Sequence, residues 1–346
     1  MADQRFSGRN GKGSVCRMPF FKRYLLAPLL VSILLLNGSW GTAASSKDVD
    51  VKDSVAPITL TDISPAEGDV ITRSEVLVTG SVTHKDGLET GVMINGVAAL
   101  VYDGQFAANH VPLPKKGETK GGEAIFVGAF DAVNGKDKRV TQTISADVQP
   151  SIRRVELQTD FWSSLAPMEN TLEFSKNFIE SSRPVITSSG PADPVIEAGE
   201  ETDTWNISMT EPGIYIFSVD VRDENGEHYT DQAAVLVYGR DTLDALLQGK
   251  WNGMKQALIA GDAEKALGYF TYGQRQVFQE IFSSAGKEGL AHMARDMQDI
   301  ELITQKNDTA KYRIRKEMTF KGKTETVTSH IYFQKERDGI WRIRDF

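Results

Sequence analysis

From Ile58 to Tyr238 the apolar residues return at every second position, and at Asp241 that period changes. Period 2 is the mark of strands with one buried face, and period 3.6 that of amphipathic helices. Ile58–Ile63 stops at Ser64-Pro65, and Glu75–Val82 follows. Gly91–Val101 is split by Asn95-Gly96, a pair that accepts the positive φ angles of a tight hairpin turn. Gln105–Ala108, Val111–Leu113, Glu123–Asp131 and Val140–Val148 complete a first series. A second series closes with Pro212-Gly213, then a strand in which both Ile214, Ile216 and the alternate Tyr215, Phe217, Val219, Val221 are apolar. Asp223–Gly226 turns the chain into a last strand, Gln232–Tyr238. Asp241 is the candidate N-cap of a helix carrying Leu243, Leu246, Leu247, Trp251, Met254 and Leu258 on one stripe. Shorter helices over 263–270, 275–284 and 290–297 precede strands over 300–305, 310–320, 324–335 and 340–346.

Short strands at this spacing predict immunoglobulin-like sandwiches. The expected fold class is multidomain: two all-β immunoglobulin-like sandwiches, at 57–148 and 152–238, followed at 242–346 by an α+β cone of helices on a curved antiparallel sheet. Residues 45–56 read as a polar linker.

The chain opens with a different element. Met18–Tyr24 is short and basic, Leu25–Leu36 is apolar, and Gly41-Thr42-Ala43-Ala44 is small. These are the parts of a secretory signal, too short in its core to span a bilayer. Residues 1–44 are therefore expected to be a signal peptide, with Met18 the expected start and cleavage near Ala43 or Ala44, giving a secreted or periplasmic protein without a stable membrane anchor. Cys16 is the one cysteine and precedes the apolar core, where it cannot be a lipidated first residue. Beyond it no disulfide, thiolate nucleophile or cysteine–zinc site is possible.

Of 39 Lys+Arg and 47 Asp+Glu, residues 1–43 hold six and one, so the rest carries 33 against 46, a net −13. Residues 241–346 hold 17 basic and 15 acidic residues, which leaves −15 for 44–240. Nucleic acid is excluded as a partner, because phosphate binding depends on clustered Lys and Arg.

Three resemblances accompany this reading. Ile63-Ser64-Pro65 with Gly68, Val78-Thr79-Gly80, Val92–Gly96, Gly104-Gln105-Phe106 and Ala129–Ala132 resemble the bacterial Ig-like module found as domain B of glucodextranases, which implies an accessory unit without catalytic residues. Pro212-Gly213-Ile214-Tyr215 through Val219-Asp220-Val221-Arg222-Asp223 and Gly226 resemble the ending of PKD-type domains, although the Trp-Asp-Phe-Gly-Asp-Gly motif of that family is absent. Trp251, Ala257-Leu258, Gly261-Asp262, Ala266-Leu267, Phe270, Tyr312-Arg313-Ile314 and Asp338–Ile343 look like the nuclear-transport-factor-2-like (SnoaL/ketosteroid isomerase) cone superfamily. That superfamily carries many functions, so it implies a fold rather than an activity.

Alternation separates the last strands into two faces. Tyr312, Ile314, Ile331, Phe333, Trp341 and Ile343 are expected to line the cone, either filled or holding something apolar. No acid or base stands among them, and isomerase chemistry needs both. Lys311, Arg313, Arg315, His330, Tyr332, Gln334, Arg342 and Arg344 are expected on the opposite side, as a docking face for the acidic second sandwich, or as a homodimer contact. His84 and His110 read as solvated, and His292 as packing or surface. Asp220, Asp223, Glu224 and Asn225 form a turn rather than a spaced calcium loop. Phe161-Trp162 is the one aromatic pair that could meet a carbohydrate, and reads as core.

The expected function is a non-enzymatic binding or assembly protein of the bacterial envelope or exterior, with a protein partner or a second copy, and without metal or cofactor. Its rivals are a small-ligand carrier or enzyme using the cone, to be supported by a polar cavity containing His292 or a Tyr near an Asp, and a carbohydrate-binding accessory protein.

Overall fold

The computed structural model describes residues 57–114, 123–132, 135–320 and 323–346; the signal and linker lie outside them. The first sandwich contains β1 (Ile58–Ser64), β2 (Val70–Ile71), β3 (Glu75–His84), β4 (Thr90–Ile94), β5 (Val97–Ala98), β6 (Leu100–Tyr102), β7 (Gln105–Pro112), β8 (Glu123–Asp131), β9 (Gly135–Ser145) and β10 (Asp147–Val148). Its sheets run β1-β3-β7-β6 and β5-β4-β8-β9. These are the immunoglobulin orders ABED and C′CFG. Val78, Val82, Val92, Ile94, Phe106, Ile125 and Val127 form the core between them. Asn95 and Gly96 both have positive φ (46° and 88°) and close a two-residue hairpin between Ile94 and Val97.

The second sandwich contains β11 (Val155–Thr159), β12 (Ser163–Leu165), β13 (Met168–Lys176), β14 (Val185–Ser189), β15 (Val195–Ala198), β16 (Thr204–Met209), β17 (Gly213–Arg222) and β18 (His228–Tyr238). One sheet runs β11-β13-β16-β15, again ABED. The other starts β14-β17-β18-β12, in which β12 lies parallel to β18 as an A′ strand does to G.

That second sheet does not end at β12. It continues through β19 (Ile300–Lys306), β20 (Thr309–Phe320), β21 (Lys323–Lys335) and β22 (Trp341–Asp345), giving eight strands. The sequence predicts separate modules; the structure joins the second sandwich and the C-terminal meander edge to edge. Asn307 N donates to Ser163 O (2.8 Å), Ser163 Oγ to Asn307 O (2.9 Å) and Ser164 Oγ to Gln305 O (3.2 Å). Gln305, 1% exposed, donates through Nε2 to Ser163 Oγ at 2.9 Å.

The helices α1 (Arg240–Ala260), α2 (Ala263–Leu267) and α3 (Arg275–Asp296) pack on the meander. Gly239, not Asp241, is the N-cap of α1, and Asp241 sits in its first turn. The two helices expected over 275–297 are one element kinked at Gly286 (φ 64°, ψ 173°). Leu243, Leu247, Trp251, Met254 and Leu258 share one core with Ile214, Leu236 and Tyr238, and with Leu77, Leu100 and Ala107 of the first sandwich. The two apolar sides of the Ile214–Val221 strand are thus explained. One faces the sandwich core, and the other faces this shared core.

Polar contacts lock the first sandwich in place. Asn109 uses its side-chain amide as a strand uses its backbone, accepting from Ala234 N (2.7 Å) and donating to Ala234 O (2.8 Å). Arg73 reaches Asp231 (2.6 Å) and the carbonyls of Thr230 and Val155. Gly91 crosses the β21–β22 turn so closely that a Cβ there would fall 1.7 Å from Asp338 O. Gly91→Ala is therefore expected to cost about 1–3 kcal/mol as the two segments are forced apart. Urea unfolding checks this, and a loss below about 0.5 kcal/mol, ordinary for a surface site, would show that the crossing is open.

Candidate binding surfaces

The register of the meander sets its faces. Lys311 lies opposite Tyr332, Arg313 opposite His330, and Arg315 opposite Thr328. Opposed residues share a face, so these side chains stand together. The Lys311 ammonium lies 5.9 Å, and the Arg344 guanidinium 5.0 Å, from the Tyr332 ring centroid. Arg313 forms a forked pair with Glu301, its Nε at 2.7 Å from Oε2. That hydrogen bond holds the Glu301 carboxyl below the usual carboxylate range and raises Arg313. Arg315 and His330 are exposed. Of the eight residues expected there, Lys311, Arg313, Arg315, His330, Tyr332 and Arg344 form a solvent-facing, largely cationic patch, and Gln334 is half-buried.

Arg342 is the exception, and the expectation for it is corrected. It is 5% exposed, and its guanidinium meets Asp338 at 2.7 and 2.8 Å and Glu336 at 2.9 Å, with Tyr272 against it. Burial pushes the Asp338 carboxyl up, but the Arg342 guanidinium and the Ile340 and Tyr272 donors outweigh it and hold the group low. Nor does the patch dock on the second sandwich. The meander meets that sandwich along β12, edge to edge, which leaves the face uncovered by the described residues.

The opposite face is filled. Tyr312, Ile331, Phe333, Trp341 and Ile343 are at most 2% exposed and Ile314 is half-buried, all packed in the core with Trp251, Met254, Phe270 and Phe282. These residues act as core. Burial, then the Asp244 carboxylate, push the Tyr312 hydroxyl well above the usual phenol range. A Tyr does stand near an Asp, but its ring is sealed beneath α1 rather than open to a ligand.

The remaining candidates separate. The His84 side chain is buried, contrary to expectation: Nδ1 accepts from Asp86 N (3.1 Å) and Nε2 faces Asp131 at 3.5 Å. His110, on β7, is half-buried beside Glu75 (3.7 Å) and Glu156, and the ligand-capable atoms of the three lie within 4.8 Å of one another. This part-buried group is the composition of an ion-pair cluster, and no buried donor is aimed at it. His292 is exposed beside Asp296 (3.8 Å). Asp223, 1% exposed, accepts from Asn225 N and Glu227 N and pairs with Arg153, a turn held by its own amides. Phe161 is half-buried under the Lys306 ammonium (3.3 Å), whereas Trp162 is 40% exposed, not core.

Sequence reasoning missed Lys335. It follows Ile331 and Phe333 on the helix-facing side of β21, a signal the alternation carried, and it is buried.

The depressed Asp338 carboxyl makes a pH-dependent prediction. A group held low in the folded state stabilises above its unfolded pKa, and that stability is lost as pH falls through the folded one. Asp338→Asn is expected to cost about 3 kcal/mol at neutral pH, since it strips a buried guanidinium of a partner. The deficit should shrink below about pH 4, near the ordinary Asp value. Urea unfolding at pH 7 and pH 3 measures it, and an unchanged deficit would refute the assignment.

No protein-family model matches the chain, and no curated protein matches it. Among solved structures, it is similar to the fibronectin(III)-like modules of Clostridium thermocellum CbhA (14% identity, TM-score 0.20, covering 53% of this chain and 95% of that one). It is also similar to the tandem Ig repeats of Dlar (10%, TM-score 0.24, 54% and 98%). At these TM-scores the likeness adds nothing to the strand pairing, on which the immunoglobulin-like sandwiches rest.

Proposed function

We propose that this chain is an exported, non-enzymatic assembly protein whose contact surface is the outer face of the C-terminal meander. The observation that carries the proposal is the uncovered cluster of Lys311, Arg313, Arg315, His330, Tyr332 and Arg344, opposite a face that is fully packed. Ordering two cations over one tyrosine ring on a rigid sheet prepares a surface for a counter-charged partner. The partner is a second copy. Residues 44–240 carry −15, so the cationic face of one copy meets the acidic sandwiches of the next. A face-to-face dimer would set like charges together, so the contact is head to tail.

Sedimentation of the mature chain is expected to show mass rising with concentration at low salt, falling back to monomer in about 0.5 M salt, where the Debye length is only a few ångströms. The double variant Lys311→Glu/Arg315→Glu should remain monomeric while keeping its unfolding midpoint. A wild-type chain that stays monomeric at low salt would sink the reading.

A further inference from the structure

A cleft of about 570 Å³ opens where three parts of the chain meet. The turn leading into β4 (87–90) and the end of β6 with Asp103 in the first sandwich, the end of β18, the first turns of α1 and the β21–β22 hairpin supply its walls. Leu88, Tyr102, Tyr238 and Leu246 give it apolar sides, and Leu88 is 37% exposed. Lys335 lines the same cleft and is 8% exposed.

The Lys335 ammonium has one hydrogen-bond partner among the described residues, the Tyr238 hydroxyl at 3.4 Å. Among the described residues the other buried cation, Arg342, is matched by Asp338 and Glu336, and the half-buried Lys250 by Glu89 at 2.5 Å. Glu89 also lines the cleft, but its carboxylate is taken by Lys250 and by Trp341 N at 2.9 Å. Asp308 accepts from Lys335 N through its backbone carbonyl (2.8 Å), and its carboxylate acts on the Lys335 charge through space without a hydrogen bond to the ammonium among the described residues. A buried ammonium whose one hydrogen bond is long and neutral remains costly until an anion contacts it directly.

We infer that the cleft binds a small organic monoanion, a carboxylate with an apolar body. Its oxygens take the Lys335 ammonium and the Tyr238 hydroxyl, and its body lies against Leu88, Tyr102 and Leu246. One ammonium and one hydroxyl match a single negative charge; a phosphate dianion would need more donors. The volume is in the range of small-molecule sites, whose specificity comes from a few polar groups in an apolar wall. This site is separate from the outer face and independent of self-association.

Calorimetry on the mature chain, titrated with 3-phenylpropanoate and with the neutral 3-phenylpropan-1-ol, tests the inference. The acid is expected to bind at least about tenfold more tightly than the alcohol, as for a charge-assisted contact. Lys335→Met should abolish that preference. Leu246→Trp, which fills the cleft and leaves Lys335 in place, should abolish binding of both probes. Equal affinities for acid and alcohol in the wild type, acid binding unchanged by Lys335→Met, or no binding at millimolar acid would each overturn it.

Discussion

Strand β12 is only three residues long, yet it is hydrogen-bonded on both edges, and the rest of the molecule is arranged around that fact. An A′ strand on the edge of an immunoglobulin sandwich exposes a row of unpaired amides and carbonyls, which invites pairing with any passing strand. Here β19 fills that row. Ser163 and Ser164 add side-chain bonds to the backbone pairing, and the buried Gln305 amide bridges between the two strands. The sandwich and the meander consequently share one sheet, and the helices that cover the meander also cover β18. The interior of the C-terminal part is filled because Ile214, Leu236 and Tyr238 enter it from the sandwich side.

The first sandwich is attached differently. Among the described residues no strand of it joins the long sheet, so its attachment depends on side chains placed where backbone pairing would otherwise be needed. Asn109 imitates a strand against Ala234, and Arg73 neutralises Asp231 while binding two carbonyls. Gly91 lets two main chains cross without a Cβ between them. The cleft around Lys335 exists only because these contacts bring the first sandwich against α1 and the hairpin. The outer cationic face, by contrast, is one that no other element among the described residues reaches.

Much of the architecture was legible as periodicity. Alternation located the sandwich strands, Asn95-Gly96 marked its hairpin, and the 3.6-residue stripe from Leu243 to Leu258 marked α1 and its buried face. Alternation also sorted Lys311, Arg313, Arg315, His330 and Tyr332 from Tyr312, Ile331 and Phe333, since opposite faces of a strand are fixed by its pleat. Arg342 was misplaced because alternation gives a side but not what covers it; Tyr272 and Asp338 come from turns whose approach no local pattern encodes. His84 was misjudged for the same reason, since its burial depends on Asp131 across the sandwich.

The sequence by itself determined which residues prefer strand or helix, which way each side chain faces, and how charge divides between the acidic front and the near-neutral end. These follow from short-range sterics and from the period of the apolar residues. Tertiary structure alone decided that β12 would accept β19, that three segments would share one core, and that Lys335 would be buried with its ammonium hydrogen-bonded to a tyrosine hydroxyl rather than to an acid. Edge pairing, charge compensation and cavities depend on groups far apart in the chain, and their energies exist only once the backbone has brought those groups together.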